Sequence, residues 1–135
     1  MAAVSKPNKM EKDSPLRQGF VSGEHSGRLL VMGDVHGQYE KMLNVLSLCE
    51  YRPAVDRLIL LGDYVDRGPD SPGVLRLVMG MAAAGHALAV PGNHEDKLAR
   101  ALRGAKVTLG HGLDKTLAQL EAEGPEFTRE VQDFA

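Results

Sequence analysis

Asp34, His36, Asp63, Asp66, Arg67, Asn93, His94 and Glu95 fall into three short polar clusters, at 33–37, 62–71 and 92–95. Carboxylates, an imidazole and an amide oxygen make a mixed oxygen and nitrogen donor set. Such a set suits Mn²⁺, Fe or Zn²⁺ and lacks the thiolates of a structural zinc site. A carboxylate can also bridge two metal ions about 3.5 to 4 Å apart, the arrangement that polarises a phosphoryl group and deprotonates an attacking water. Arg67 could hold phosphate oxygens by its planar fork. The plain alternative for Asp63, Asp66 and Arg67 is a polar surface turn with a local Asp–Arg pair.

Positioning these residues falls to an alternation of strands and helices. Residues 28–32 read as a buried strand, 39–51 as a helix with Met42, Val45, Leu46 and Cys49 on one face, and 58–61 as a second strand. Ser71 followed by Pro72 reads as an N-cap and a first-turn proline, opening a helix that Gly85 ends. Residues 87–90 are expected to form a third strand, 94–103 a third helix stopped at Gly104, 106–109 a fourth strand, and 114–123 a fourth helix. The charged run 121–126 reads as a solvated end. This order predicts βαβ units and a parallel sheet covered by helices. Each polar cluster directly follows a strand, and the carboxyl ends of parallel strands share the edge where open α/β folds bind ligands. The three clusters should therefore meet.

The bulk properties narrow the function classes. A chain of 135 residues with net charge −2 is one domain without the basic stripe of a duplex-DNA binder. The apolar stretch 74–90 is broken by Arg76, Gly80, Gly85 and His86, so no membrane span is expected. Residues 1–27 mix Lys, Ser, Pro, Gly and Glu without a period and read as a flexible leader without the apolar core of a signal peptide, ahead of a domain over 28–135. A single cysteine, Cys49, allows no intramolecular disulfide and reads as packing in a cytoplasmic protein. His25 and His86 read as solvated or locally bonded, Met42, Met79 and Met81 as core filling, Tyr64 as pocket lining or packing, and Glu95 as a partner of a ligand or a favourable first-turn charge.

The stretches Gly33-Asp34-Val35-His36-Gly37, Gly62-Asp63-Tyr64-Val65-Asp66-Arg67-Gly68 and Gly92-Asn93-His94-Glu95 resemble the three leading signatures of the calcineurin-like metallophosphoesterases, in their phosphoprotein phosphatase branch. The likeness extends to order and spacing, with 29 positions from Asp34 to Asp63 and 30 from Asp63 to Asn93. Residues 68–76, 102–104 and 111–113 are most similar to bacterial members, among them the phosphatase module of RNA-repair polynucleotide kinase–phosphatases and diadenosine tetraphosphatase-like enzymes. The resemblance implies an αββα sandwich of which this chain covers mainly the N-terminal βαβαβα part. It implies that Asp34 and His36 hold one metal ion, that Asp63 bridges to a second, and that Asn93 gives its amide oxygen to the second ion and, with Arg67, meets the substrate phosphate. His94 would be the general acid, Asp66 would orient it and raise its pKa, and a hydroxide bridging two ions, most naturally Mn²⁺ with Fe or Zn as options, would attack phosphorus.

One departure from the family pattern is visible. Family members complete the second metal site with two later histidines, whereas after His94 this chain has only His111, 18 positions after Asn93. The second site is expected to be incomplete and the domain C-terminally truncated, with apolar sheet surface open to self-association. A metal-dependent phosphatase acting on phosphoproteins, dinucleoside polyphosphates or RNA ends is the leading expectation. An inactive or weakly active metal- and phosphate-binding fragment is the alternative.

Overall fold

The structure, a computed structural model, describes residues 27–135. The leader expected over 1–27, with His25, lies outside the described residues but for Gly27. Strand β1 (Leu29–Met32) leads through helix α1 (Tyr39–Leu48) to β2 (Arg57–Leu60), then through α2 (Ser71–Ala83) to β3 (Ala87–Ala89), followed by α3 (Asn93–Leu102), α4 (Leu113–Glu123) and α5 (Pro125–Phe134). The sheet is wholly parallel in the order β1-β2-β3, with Leu30 opposite Leu58, Met32 opposite Leu60, and Leu58 and Leu60 opposite Ala87 and Ala89.

Consecutive parallel neighbours joined by right-handed crossovers place both connecting helices on the same face of the sheet. Burial follows this rule. Leu58 and Leu60 are buried in one core with Val74, Leu75, Val78 and Leu98. The opposite face carries the in-register row Val31, Ile59 and Leu88, with Leu61 beyond it, and Val31 and Leu61 are 57% and 51% exposed. A parallel sheet normally has both faces covered, and here the described residues cover one.

Several local readings change. Asp70, not Ser71, caps α2, its Oδ1 accepting the Gly73 N–H at 2.8 Å. A carboxylate one residue earlier reaches that donor, and Ser71 turns its hydroxyl to the Asp66 N–H instead. Helix α1 ends at Leu48, and of its expected inner face Met42 is buried while Val45 and Cys49 are exposed. Residues 105–109 form no strand. The expected solvated end at 121–126 instead holds the close of α4 and the start of α5, where Gly124 and Pro125 stop one helix and open the next. Phe127 and Val131 bury one face of α5, and Arg76 of α2 lies 4.2 Å from the Phe127 ring centroid and pairs with Glu123. No helix among the described residues is long and apolar enough to cross a membrane.

At the opposite edge of the sheet from the polar clusters, Asp56 fastens β1 to β2. Its Oδ1 accepts the Arg28 N–H at 2.9 Å, and its Oδ2 takes the Arg52 N–H and the Arg28 guanidinium at 2.9 and 3.0 Å. The Arg28 hydrogen bond, aided by the two backbone donors, holds the Asp56 carboxyl far below the usual carboxylate range. A depressed folded-state pKa contributes stability that is complete above the unfolded value of about 3.9 and is lost as pH falls through the folded one. Asp56→Asn is therefore expected to lower the melting temperature at neutral pH and to flatten its decline below about pH 4. Parallel acid limbs for the two proteins would contradict this.

Candidate metal centre and phosphate site

Three βα loops converge at the carboxyl edge of the sheet. The first is tied to the second through backbone: the N–H groups of Val35 and His36 donate to the Asp63 carbonyl at 3.1 and 2.9 Å, and Gly37 N–H to the Tyr64 carbonyl at 2.7 Å. The second meets the third where Gly92 lies against Asp63; any side chain at Gly92 would collide with the Asp63 carboxylate. His94 N–H donates to Asp63 Oδ1 at 3.1 Å. Asn93 thus sits between two residues that touch Asp63, exposed at the first turn of α3.

Asp34, His36 and Asp63 each offer a ligand atom, and these atoms lie within 4.8 Å of one another. Two carboxylates and one imidazole fit a divalent first-row ion. The His36 ring is set for that role: Nδ1 lies 2.9 Å from the Val65 carbonyl, which can only accept, so Nδ1 carries the proton and Nε2 is left as the donor atom, 3.6 Å from Asp34 Oδ2.

His94 stands beside this cluster, its ring 4.6 Å from that of His36 in an edge-on contact. Its Nδ1 donates to Asp66 Oδ2 at 2.7 Å, which leaves Nε2 free. Asp66 is 1% exposed, and its other oxygen, Oδ1, accepts the Thr116 hydroxyl at 2.6 Å. Thr116 in turn accepts the Asp66 N–H at 3.0 Å. Arg67 is exposed at the rim, and the local Asp–Arg pair of a plain turn is not formed among the described residues. His36, Asp63, Asp66 and Arg67 all have positive φ, at 45°, 55°, 75° and 72°. Clustered left-handed non-glycine residues are a mark of functional loops.

Two supports brace these loops, of which the sequence points to Glu95, as a ligand's partner or a first-turn charge, and not to the other. Glu95 is fully buried and its carboxylate gathers four backbone donors: Asp63 and Gly92 on Oε1 at 2.6 and 2.8 Å, Tyr64 and Val65 on Oε2 at 2.7 and 3.2 Å. Burial pushes its carboxyl up, and the four N–H groups pull the other way without cancelling that rise. The second support is α4. Besides Thr116, it offers Gln119, which accepts the Ser71 N–H at 3.1 Å and donates to the Pro69 carbonyl at 3.0 Å. The helix thereby clamps the loop at 62–71 from a distance of some 50 positions in sequence. Tyr64 packs rather than lining a pocket: it is fully buried, and its hydroxyl lies 2.9 Å from the Leu60 carbonyl and 2.7 Å from that of Val90. His86 takes no part in the site, and Met42 is core while Met79 and Met81 pack against it.

The profile of the calcineurin-like phosphoesterase family matches residues 27–130. The chain belongs to this family. Members use divalent metal ions, which agrees with the donor cluster. Similar proteins include an asymmetrical bis(5′-nucleosyl)-tetraphosphatase PrpE of Halalkalibacterium halodurans, 40% identical over 109 residues that make up 75% of this chain and 44% of that protein. A symmetrical bis(5′-nucleosyl)-tetraphosphatase of Edwardsiella ictaluri is 48% identical over 66 residues, 49% of this chain and 23% of its own. The crystal structure of a candidate diadenosine tetraphosphatase superposes with a TM-score of 0.55 at 26% identity, covering 79% of this chain and 46% of that one. The chain thus spans less than half the length of these relatives, and its sheet and helices correspond to part of the family fold.

Proposed function

We propose that this site is a divalent-metal-dependent phosphoesterase centre whose substrates are dinucleoside polyphosphates. The observation that carries the reading is the Asp34–His36–Asp63 donor cluster standing directly beside the His94–Asp66 pair. The substrate class follows the activity named for the relatives and takes precedence over phosphoproteins and RNA ends. In this reading Asp34, His36 and Asp63 hold one ion, with Mn²⁺ the first candidate, and Asn93 offers its amide oxygen towards a second. Bound ions supply Lewis-acid polarisation of the phosphoryl group and acidify the water that attacks it. Arg67 holds phosphoryl oxygens, and His94 Nε2 delivers a proton to the leaving oxygen while Asp66 fixes the ring. An exposed lone thiol, Cys49, suits a reducing, cytoplasmic setting.

A second reading, a metal- and phosphate-binding unit with little turnover, is favoured by one observation: among the described residues, one cluster of three His, Cys, Asp or Glu ligands is assembled. Metal stoichiometry near one with no phosphate release would decide for it. Titration calorimetry with Mn²⁺ tests the reading at its base. Asp63→Asn is expected to weaken binding by at least about tenfold, the low end for loss of a direct ligand, since even partners of ligands cost 10- to 100-fold. Equal affinity in the two proteins would remove Asp63 from the metal site and overturn the proposal.

A further inference from the structure

Beside His94 lies a concavity of about 200 Å³, walled by Asp66, Asn93, His94, Lys97, Gly110 and His111. Asp34, His36 and Asp63 take no part in its walls. A proton donor that serves a leaving oxygen must have the leaving group at hand, so whatever departs from a phosphoryl group held by the metal cluster and Arg67 is received here. The space is smaller than the roughly 300 to 1,000 Å³ of sites for drug-sized ligands, and so suits a small group rather than a nucleoside or a folded peptide.

Charge in the walls says which group. Asp66 is the one carboxylate among them, and both its oxygens are engaged, Oδ2 by His94 and Oδ1 by Thr116. Lys97 lies one helical turn beyond His94 on α3, half-buried, and among the described residues its ammonium makes no ion pair. His111 holds φ at 60°, a left-handed conformation, although glycines stand on both sides of it. Gly112, next to it, is packed so tightly on the Arg67 backbone that no side chain fits there. The turn that seats His111 is therefore built onto the loop of the phosphate-binding arginine, with a histidine kept where glycine would be unstrained.

We propose that Lys97 and His111 form a leaving-group subsite for phosphate, which makes the centre selective for phosphoanhydrides over alkyl and aryl monoesters. This rests on the phosphoesterase reading and deepens it. In the reaction the water oxygen bonds to phosphorus, the bridging P–O bond breaks with its electron pair on the leaving phosphate held by Lys97 and His111, and that oxygen takes the His94 proton, which the water's proton later replaces.

The test titrates methylene diphosphonate, a non-hydrolysable phosphate pair, into the full chain without metal, followed by NMR. Shifts are expected at 94–97 and 110–112, with affinity about tenfold lower in Lys97→Gln and in His111→Asn, the asparagine tolerating the left-handed backbone. Unchanged affinity in both variants, or shifts confined to the metal-ligand loops, would overturn the subsite. Hydrolysis gives an independent arm: the ratio of kcat/KM for diadenosine tetraphosphate over nitrophenyl phosphate should fall about tenfold in each variant. An unchanged ratio overturns the selectivity. A wild-type chain that shows the diphosphonate footprint yet releases no phosphate with Mn²⁺ would sink the phosphoesterase reading and leave the subsite standing.

Discussion

Glu95→Gln should destabilise the chain by about 2–4 kcal/mol, because four backbone donors converge on this carboxylate, those of Tyr64 and Val65 in buried hydrogen bonds and those of Asp63 and Gly92 in part-buried ones. An amide keeps the shape but has one acceptor oxygen. Whichever way it turns, its NH₂ faces a pair of N–H groups, either those of Asp63 and Gly92 or those of Tyr64 and Val65. A loss of that size is a large part of the 5–15 kcal/mol that holds a typical domain together. The damage should reach the site as well, since the Asp63 backbone would be released, and Mn²⁺ affinity should fall with stability. Urea unfolding of Glu95→Gln beside Asp96→Asn, an exposed neighbour, gives the comparison. If the two variants unfold at the same concentration, Glu95 is not the clamp described.

His94→Ala should slow hydrolysis of a phosphate ester with a poor leaving group by about 10²- to 10⁴-fold, the usual range for general acid catalysis. The same change should cost far less on a nitrophenyl ester, whose anion departs without a proton. Thr116 supplies a companion experiment. Thr116→Val keeps the buried shape but removes the hydroxyl on Asp66 Oδ1, and is expected to give the same leaving-group pattern at about a tenth of the rate, with Thr116→Ser restoring it. Equal losses on both esters would take the proton-donor role away from His94.

The strands and the first three helices were legible because each couples an apolar run to a polar cluster with glycine at its ends. Leu58–Leu60 before Gly62 and Leu88 before Gly92 leave few other ways to fold. For the same reason the convergence of Asp34, His36, Asp63, Asn93 and His94 could be read from the order of elements alone. What could not be read depends on contacts between positions far apart. Nothing near Thr116 or Gln119 marks them as partners of a loop 50 positions earlier. Glu95 reads equally as a ligand's partner or a first-turn charge, because three of its four donors belong to the backbone of another loop. Helix α5 was hidden by its charges, although Phe127 and Val131, four apart, formed a short apolar stripe. Residues 106–109 alternate enough to suggest a strand, but no neighbouring strand among the described residues is placed to pair with them.

The four left-handed residues of the site have a consequence for anyone improving this protein by laboratory evolution. Each L-residue held at such φ costs on the order of 1–3 kcal/mol that glycine would not incur, offset in part by the roughly 0.5–1 kcal/mol of chain freedom glycine adds to the unfolded state. A library screened for heat resistance alone would therefore enrich glycine in this loop. It would strike first at Arg67, whose φ is 72° and whose exposed side chain forfeits little packing when removed. On the function proposed above, variants that survive the hottest step would be those that have lost the arginine meant for phosphate, so a useful screen must score heat and hydrolysis in the same well.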